Sequence, residues 1–231
     1  MNVFANISLP KVIFETDSKY NGKISVIKQG ESLKLSVNGV VQSMSHTSES
    51  AKRRVWGQVI PVLEEHAPGF KNILVFGLGG GTMQHFISQK FPTAAITSVE
   101  IDPAMVDVAK KYFDVEKIPN HTIITEDACR VVIAPEEYGL ALDSFDVAVV
   151  DFFIGDVFPD LGTSGNFLAA LSSLVKPGGL IIFNRIFLEK YQDNVNHFMQ
   201  ILETFLTDIQ TSVIAGHTNS DNILIFGRVT R

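Results

Sequence analysis

The sequence predicts an α/β protein with a seven-stranded, mostly parallel sheet and a small β extension at its N-terminus. Two observations support this fold class. From Asn72 onward, short apolar strands alternate with amphipathic helical segments, a pattern typical of a parallel sheet with helices on both faces. The chain has 231 residues, of which 45% are hydrophobic and 19% are charged. This composition suffices for one large domain with a small appendage and excludes wholesale disorder.

Residues 1–46 differ in pattern from the rest of the chain, and we expect them to form the β extension. Four β-like runs occur here with turn residues between them, Lys11–Thr16, Lys23–Gln29, Ser32–Val37 and Val40–Met44. Asn38-Gly39, between the last two runs, is a strong signal for a two-residue hairpin turn. Such a segment is too short to bury much core alone, and the main domain is predicted over residues 47–231.

The main domain begins with a predicted helix over 47–66, in which Val55, Val59, Val62 and Leu63 share one face. Five buried strands follow, with helices near 82–91, 103–113 and 164–175 between them. The strands are Ile73–Phe76, Ala95–Glu100, Thr122–Thr125, Phe145–Asp151 and Leu180–Asn184. A last helix over about 188–206 leads to two strands near 209–215 and 222–228, which a short connection should pair as an antiparallel edge.

Composition and charge exclude several classes of function. The 19 basic and 25 acidic residues give a net charge of −6 and a pI near 5.5, which argues against an electrostatic nucleic-acid binder. The one short basic cluster, Lys52-Arg53-Arg54, is interpreted as a solvated helix face. No run of about eighteen apolar residues occurs, so we expect no membrane-spanning helix.

The cysteine and histidine content limits which cellular compartment and which metal or disulfide chemistry we expect. The single cysteine, Cys129, excludes an intrachain disulfide and a cysteine-based zinc site, and it fits a reducing compartment. The N-terminal residues have no basic start and no unbroken apolar stretch, so they do not resemble a signal peptide. The six histidines show no metal-ligand spacing. We therefore expect a cytoplasmic protein without a metal site.

The strongest functional signal is the glycine-rich turn over residues 77–81, which follows a buried strand and opens a helix. Glycines there let the backbone turn sharply and let a ligand approach the chain closely. Glu100 ends the next strand, where an acid can accept hydrogen bonds from both hydroxyls of a ribose. A turn followed by an unrelated surface acid is the alternative. We expect a cofactor that contains a nucleoside.

Two common nucleotide classes lack their motifs. Thr82 occupies the position of the third glycine in a dinucleotide fingerprint. No Tyr-x-x-x-Lys pair and no Gly-Lys-Ser/Thr ending of a phosphate loop occur. Instead the chain contains Val-Glu-Ile-Asp-Pro over 99–103, Glu-Asp-Ala over 126–128 and Pro-Gly-Gly over 177–179.

Together these motifs resemble the class I S-adenosylmethionine-dependent methyltransferase fold, a Rossmann-like architecture, over residues 70–228. The N-terminal β segment and the Val-Glu-Ile-Asp-Pro motif resemble the spermidine synthase branch of that fold. The resemblance implies S-adenosylmethionine or its decarboxylated form as cofactor. It assigns Gly77, Gly79 and Gly81 to the methionine side, Glu100 to the ribose, and Ile101, Asp127 and the Ala128 amide to the adenine.

The glycine loop departs from the aminopropyltransferases of this branch. They carry an acid in the loop, at the position we assign to Gly80, where it would face the ammonium of decarboxylated S-adenosylmethionine. Ordinary S-adenosylmethionine keeps a carboxylate, which such an acid would repel and a bare helix N-terminus would attract. Gly80 therefore favours the ordinary form.

The segment after the fourth core strand departs as well. The branch has Asp-Ser-Ser-Asp-Pro there, whose second acid helps to hold and deprotonate a polyamine, and this chain has Ile154 in that position. Asp156 or Asp160 could substitute if the loop folds differently. Val55 and Trp56 stand roughly where the family holds the polyamine with aromatic and amide groups. With Phe152, Phe153 and Phe158 nearby, the pocket is expected to be more apolar.

Asp151 and Asp156 are the candidate catalytic residues. Asp151 ends the fourth strand beside the topological switch point, where such sheets bind ligands, and it could orient or deprotonate an acceptor. A turn or helix-cap role is the alternative. No Asn/Asp-Pro-Pro-Tyr signature follows, which argues against amide and adenine acceptors. Arg185 could bind an acceptor carboxylate or pair with a surface acid.

Three functional hypotheses remain open. The first is methyl transfer to an unidentified small acceptor, and the second is aminopropyl transfer to a polyamine. The third is a non-catalytic nucleoside-binding homologue, suggested by the missing second acid. We expect a small-molecule acceptor, neither nucleic acid nor membrane as partner, and a homodimer like those of the resembled family.

Overall fold

The computed structural model describes residues 8–153, 164–187, 192–215 and 221–230. Its N-terminal part is an antiparallel sheet of four strands in chain order: β1 Lys11–Ser18, β2 Gly22–Gln29, β3 Ser32–Val37 and β4 Val40–Met44. Asn38 and Gly39 have φ values of 49° and 85°, as a tight two-residue hairpin turn requires. The predicted hairpin is therefore confirmed.

The predicted helix over 47–66 is two helices, α1 Glu49–Lys52 and α2 Val55–His66. The chain breaks at Arg54, which is extended with φ −88° and ψ 173°. The turn brings α2 so close to α1 that a Cβ atom on Gly57 would lie 2.1 Å from the Lys52 carbonyl oxygen. The expected apolar face is confirmed, since its four members are all buried. The prediction of one continuous helix was wrong.

The main sheet has seven strands: β5 Asn72–Phe76, β6 Ala95–Glu100, β7 His121–Thr125, β8 Phe145–Val150, β9 Val175–Phe187, β10 Leu206–Ile214 and β11 Asp221–Val229. Their order is β10-β11-β9-β8-β5-β6-β7. Strand β11 alone runs in the direction opposite to the other six, so its pairs with β10 and β9 are antiparallel and the other pairs among these strands are parallel. The predicted α/β fold, with its seven-stranded, mostly parallel sheet and N-terminal β extension, is confirmed.

The helices of the main domain cover both faces of this sheet. They are α3 Thr82–Lys90, α4 Pro103–Phe113, α5 Ala128–Ile133, α6 Gly165–Leu174 and α7 Gln192–Leu202, with short 3-10 helices at Val115–Lys117 and Pro135–Tyr138. Sequence periodicity missed α5, because six residues are too few to show it. The last helix ends earlier than predicted, since β10 begins at Leu206. No helix in the described part of the chain is long and apolar enough to cross a bilayer.

The N-terminal sheet packs on α4 at the carboxyl end of β6. Buried side chains of β2 and β3 form one apolar cluster with Met105, Val108 and Phe113 of α4. Asp102, which caps α4 by accepting from the Ala104 amide at 2.9 Å, also accepts hydrogen bonds from Ser18 and Asn21. The cap of α4 therefore fixes this sheet against the edge of the main domain where the strands end.

Candidate functional site

A cavity of about 750 Å³ lies at the carboxyl ends of the central strands, between the main sheet, β4 and the junction of α1 and α2. Strands β5 and β8 are neighbours there, and the chain continues from them in opposite directions across the sheet. Seven of the residues singled out from the sequence line the cavity: Gly77, Gly79, Glu100, Ile101, Asp127, Ala128 and Asp151. Gly81 is not among the lining residues, and Asp156, Ile154, Phe158 and Asp160 lie outside the described residues.

The glycine loop turns sharply and touches the end of β8. Gly77, Gly79 and Gly81 have φ values of 98°, 52° and 71°, a region that favours glycine. A Cβ atom on Gly77 would lie 2.2 Å from the main-chain oxygen of Asp151. A Cβ atom on Gly81 would lie 2.3 Å from a methyl carbon of Val115. The first glycine therefore lets the loop pass Asp151, whereas Gly81 serves the packing behind the loop.

Gly80 requires a correction. It does not line the cavity, and its amide donates to Ser43 Oγ at 2.9 Å. A Cβ atom here would point at Ser43 Cβ and the Phe113 ring, 3.0 and 3.1 Å away. A side chain at position 80 would therefore face the N-terminal sheet and α4 rather than the ligand. The loop residues that line the cavity are Gly77, Leu78 and Gly79.

Glu100 ties the glycine loop to the end of β6. Its two carboxylate oxygens accept from the amides of Leu78, at 3.0 Å, and Asp102, at 3.1 Å. Burial raises the pKa of this carboxyl, against the effect of those main-chain donors. A carboxylate oxygen has a second lone pair, so Glu100 can also accept from a hydroxyl in the cavity.

The wall of the cavity beyond the ends of β6 and β7 contains both polar and apolar residues. Asp127 caps α5 by accepting from the Cys129 amide at 2.7 Å, and the Ala128 and Cys129 residues line the same wall. Ile101 is 38% exposed although large and apolar, so it presents an apolar surface to the cavity that it lines. Glu126, to which the sequence reasoning gave no role, lines this wall too. Its carboxylate accepts a hydrogen bond from the Tyr138 hydroxyl at 3.2 Å.

Asp151 faces the loop from the end of β8. Asn184 donates to its Oδ1 at 2.6 Å, and Asn222 donates to the Asn184 side-chain oxygen at 2.9 Å. Burial raises the pKa of Asp151 to about 7, although the Asn184 hydrogen bond works in the other direction. A carboxyl that titrates near neutral pH can both accept and release a proton under ordinary conditions.

Aromatic side chains close the cavity beside Asp151. Trp56 of α2, Phe152 and Phe153 line it, as does Val55. Phe152 packs edge-on against Phe76 and Phe167, with ring centroids 6.5 and 5.9 Å away. Phe152 and Phe153 therefore line the cavity together, as expected, and the comparison with the pocket of the resembled family stays a prediction.

Two arginines line the cavity where the sequence predicted a solvated helix face. Lys52 is exposed and pairs with Glu49 at 2.7 Å, but Arg53 and Arg54 at the junction of α1 and α2 both reach the cavity. Arg53 is exposed, as the prediction has it, but Arg54 is half-buried because the helix breaks before Val55, and the prediction was wrong for Arg54. The guanidinium of Arg185, for which the sequence left two roles open, stacks on Phe198 at 4.7 Å. Neighbouring residues of a strand point to opposite faces, so Asn184 and Ile186 line the cavity and Arg185 does not.

The sequence is similar to one known protein family and to individual known proteins. The spermine/spermidine synthase domain matches residues 59–227. An eEF1A lysine and N-terminal methyltransferase homologue from Drosophila pseudoobscura is 31% identical over 119 residues, 50% of this chain and 18% of the relative. A polyamine aminopropyltransferase from Vibrio vulnificus is 30% identical over 127 residues, 55% of this chain and 42% of the relative. The chain thus matches less than half the length of either relative.

Solved structures share the fold at low sequence identity. A probable spermidine synthase from Corynebacterium glutamicum has a TM-score of 0.78 at 18% identity, over 94% of this chain and 80% of that one. A spermidine synthase in complex with the transition-state analogue AdoDATO has a TM-score of 0.73 at 14% identity, over 94% and 73%. Human methyltransferase-like protein 13 in complex with SAH has a TM-score of 0.62 at 23% identity, over 79% and 82%.

Proposed function

The chain belongs to the spermine/spermidine synthase domain family, and we propose that it binds S-adenosylmethionine and transfers the methyl group to a small acceptor. Both methyltransferases and aminopropyltransferases occur among its relatives, so family membership supports a transferase and leaves the transferred group to be argued from the site. The proposal assigns the nucleoside to Glu100, Ile101, Asp127 and Ala128, and the reacting end of the ligand to the space between the glycine loop and Asp151.

The position of Asp151 carries the proposal. It ends β8 in contact with the glycine loop, lines the same cavity as the nucleoside-binding residues, and has a pKa raised to about 7. The sulfonium of bound S-adenosylmethionine supplies a methyl group already activated for displacement. Asp151 is placed to accept the proton that the acceptor loses as its lone pair attacks, a general-base role that suits a pKa near the working pH. The aromatic wall excludes water from this space.

The glycine loop supports the carboxylated form of the cofactor. No acidic residue occurs from 77 to 81, including Gly79, which faces the cavity. The helix α3 begins at Thr82 directly after the loop, and the partial positive charge of a helix N-terminus stabilises an anion. A loop without carboxylates therefore tolerates the amino-acid tail of S-adenosylmethionine.

Aminopropyl transfer is the second candidate, and the acidic residues of the cavity favour it. Glu126, Asp127 and Asp151 line the wall, and carboxylates attract a polycation. The aromatic residues beside Asp151 work against it, because they surround the acceptor space with apolar surface. A non-catalytic nucleoside-binding homologue is the third, and it differs from both in having no turnover.

The experiment that tests the proposal measures product formation with both cofactors. Purified protein is incubated with S-adenosylmethionine and a panel of small amines, phenols and carboxylic acids, and release of S-adenosylhomocysteine is followed. In parallel it is incubated with decarboxylated S-adenosylmethionine and putrescine, and spermidine is quantified. Acceptor-dependent S-adenosylhomocysteine, abolished in Asp151→Asn, supports methyl transfer. Spermidine formation would establish the second candidate instead, and binding without turnover across the panel would support the third.

A further inference from the structure

We propose that Arg54, assisted by Arg53, binds the carboxylate of the cofactor's amino-acid tail and thereby selects S-adenosylmethionine over its decarboxylated form. The inference rests on the proposed function, because it assigns a specificity-determining contact within the same cavity. Three features of the described residues carry it: the rigid placement of the two arginines, the charge distribution of the cavity, and an unsatisfied donor on Arg54.

The junction of α1 and α2 is held by a set of main-chain hydrogen bonds. The Arg54 amide donates to the Ala51 carbonyl at 3.2 Å, and the Arg54 carbonyl accepts from the amides of Gly57 and Gln58 at 3.0 and 3.1 Å. The Gln58 side chain donates to the Lys52 carbonyl at 3.0 Å. Gly57 allows the two helices to approach, since a Cβ atom there would lie 2.1 Å from that carbonyl oxygen. The backbone from which both arginines extend is therefore fixed.

The junction lies on the glycine-loop side of the cavity. Ala51, Val55 and Trp56 belong to one buried apolar cluster with Leu78 of the loop and Met83 of α3. The strand that leads into α1 is anchored to the start of α3, because Thr82 Oγ1 donates to the Met44 carbonyl oxygen at 2.6 Å. The arginines therefore line the same end of the cavity as the loop that the proposed function assigns to the methionine tail.

Most of the acids in the cavity lie away from the arginines' end. Three of the four that line it, Glu100, Glu126 and Asp127, belong to the wall at the ends of β6 and β7, which the proposed function assigns to the ribose and adenine. The fourth, Asp151, lies at the end of β8, where the proposed function places the reacting group. Among the described residues that line the cavity, Arg53 and Arg54 are the only cations. A ligand with a nucleoside at one end and an anion at the other matches this distribution.

Arg54 has a donor that the described part of the chain leaves unsatisfied. Its Nε atom is buried and has no hydrogen-bond partner among the described residues. A guanidinium presents its donors in a planar fork that matches a carboxylate through two parallel hydrogen bonds. The decarboxylated cofactor has only an ammonium at this end, which two arginines repel. A carboxylate of the cofactor therefore satisfies the donor and the local charge together.

Binding of three ligands tests the inference without relying on turnover. Isothermal titration measures S-adenosylmethionine, decarboxylated S-adenosylmethionine and methylthioadenosine, which has the nucleoside without the amino-acid tail. Arg54→Met should weaken binding of S-adenosylmethionine by roughly tenfold to a hundredfold, the scale of a hydrogen bond to a charged group. Binding of methylthioadenosine should change by less than about threefold, within the scatter of variants that leave a site intact. Decarboxylated S-adenosylmethionine should bind no more weakly than to wild type, because the variant removes a charge that repels its ammonium. Arg54→Lys, which keeps the charge and loses the fork, should fall between wild type and Arg54→Met.

The matched control is Lys52→Met, which removes the same charge two positions away from a side chain that is exposed and paired with Glu49. It should leave all three affinities unchanged, and melting temperatures check that each variant is folded. Equal weakening of all three ligands in Arg54→Met would assign Arg54 to packing and overturn the inference. So would unchanged binding of S-adenosylmethionine, in which case the proposed function would stand. Wild-type protein that binds neither S-adenosylmethionine nor methylthioadenosine would overturn both.

Discussion

The side-chain amide of Asn184 donates a 2.6 Å hydrogen bond to Oδ1 of Asp151, so a residue of β9 orients the carboxyl group at the end of β8. Asn184 is itself held by Asn222 of β11. Three strands of the sheet thus fix the one carboxyl to which we assign proton transfer. Two opposing effects act on the pKa of Asp151, because burial raises it and the hydrogen bond from Asn184 lowers it.

The first prediction concerns the pH profile of turnover. If Asp151 is the base, the rate should rise with pH through about 7 and level off above it. Asn184→Leu removes a hydrogen bond that favours the charged form, so the midpoint should move up by about one to two pH units. The profile of kcat against pH measures this shift. If the midpoint is unchanged in Asn184→Leu, the group that titrates in the kcat profile is not Asp151.

The second prediction concerns stability against pH. The folded pKa of Asp151 lies above that of an unfolded carboxyl, about 3.9, so the native state binds more protons than the unfolded state between about 4 and 7. Its contribution to stability is therefore present at low pH and is lost as pH rises to about 7. Asp151→Asn should remove roughly 2–4 kcal/mol of this pH dependence between pH 5 and 8, measured by urea unfolding.

Asp146 provides a control of the opposite sign. Burial disfavours its charge, but hydrogen bonds from Lys176 and from the amides of Lys71 and Asn72 outweigh this and hold its pKa below the ordinary value. Because Asp146 is ionised in both states from pH 5 to 8, Asp146→Asn should destabilise by the same amount throughout. A loss confined to pH 8 in Asp146→Asn, or an unaltered pH dependence in Asp151→Asn, would contradict this account.

The third prediction separates the two middle glycines of the loop. Gly79 lines the cavity, and a Cβ atom there would lie 3.0 Å from Ser43 Oγ, which lines it too. A Cβ atom on Gly80, which does not line the cavity, would meet Ser43 Cβ and the Phe113 ring. Gly79→Asp should therefore shift preference toward decarboxylated S-adenosylmethionine by about tenfold or more, compared with the neutral control Gly79→Asn. Gly80→Asp should instead lower the melting temperature and leave the preference of the remaining folded protein unchanged. If Gly80→Asp shifts the cofactor preference and Gly79→Asp does not, position 80 is the one that faces the tail of the cofactor, as the sequence predicted.

The fourth prediction concerns the junction that carries the arginines. Gly57→Ala places a Cβ atom against the Lys52 carbonyl and should cost about 1–3 kcal/mol of stability. It should also weaken binding of S-adenosylmethionine more than that of methylthioadenosine, because it moves Arg54. Gly69→Ala is the matched control, since a Cβ atom there has nothing within 4 Å. If Gly57→Ala weakens the binding of both ligands equally, the junction of α1 and α2 does not contribute to recognition of the carboxylate.

The fold was predictable because its signals are local. Apolar runs of four to six residues that alternate with helical periods specify the parallel sheet, and Asn38-Gly39 specifies a hairpin turn of the N-terminal sheet. The wall that the proposed function assigns to the nucleoside was also predictable, because Glu100 ends β6 and Asp127 follows β7, and parallel strands end at one edge of the sheet. Their roles toward a ligand stay predictions, as does the domain boundary at residue 46.

The remaining features depend on tertiary contacts that no local pattern records. The break before Val55 arises where α1 and α2 approach at Gly57, and it places Arg54, half-buried, and Arg53, still exposed, at the cavity wall. The direction of Gly80 depends on β4 and α4, which are distant in sequence. The placement of Arg185 could have been found earlier, because strand alternation puts it on the face opposite Asn184.

The most direct test of the central claim is thermal unfolding with S-adenosylmethionine, decarboxylated S-adenosylmethionine and NAD in parallel. A ligand at about 100 times its dissociation constant adds about 2.7 kcal/mol, which raises the midpoint of a chain of this size by roughly 5–11 °C. The account predicts the largest increase with S-adenosylmethionine, a smaller one with the decarboxylated form, and none with NAD. A larger increase with the decarboxylated form, or no increase with either, would contradict it.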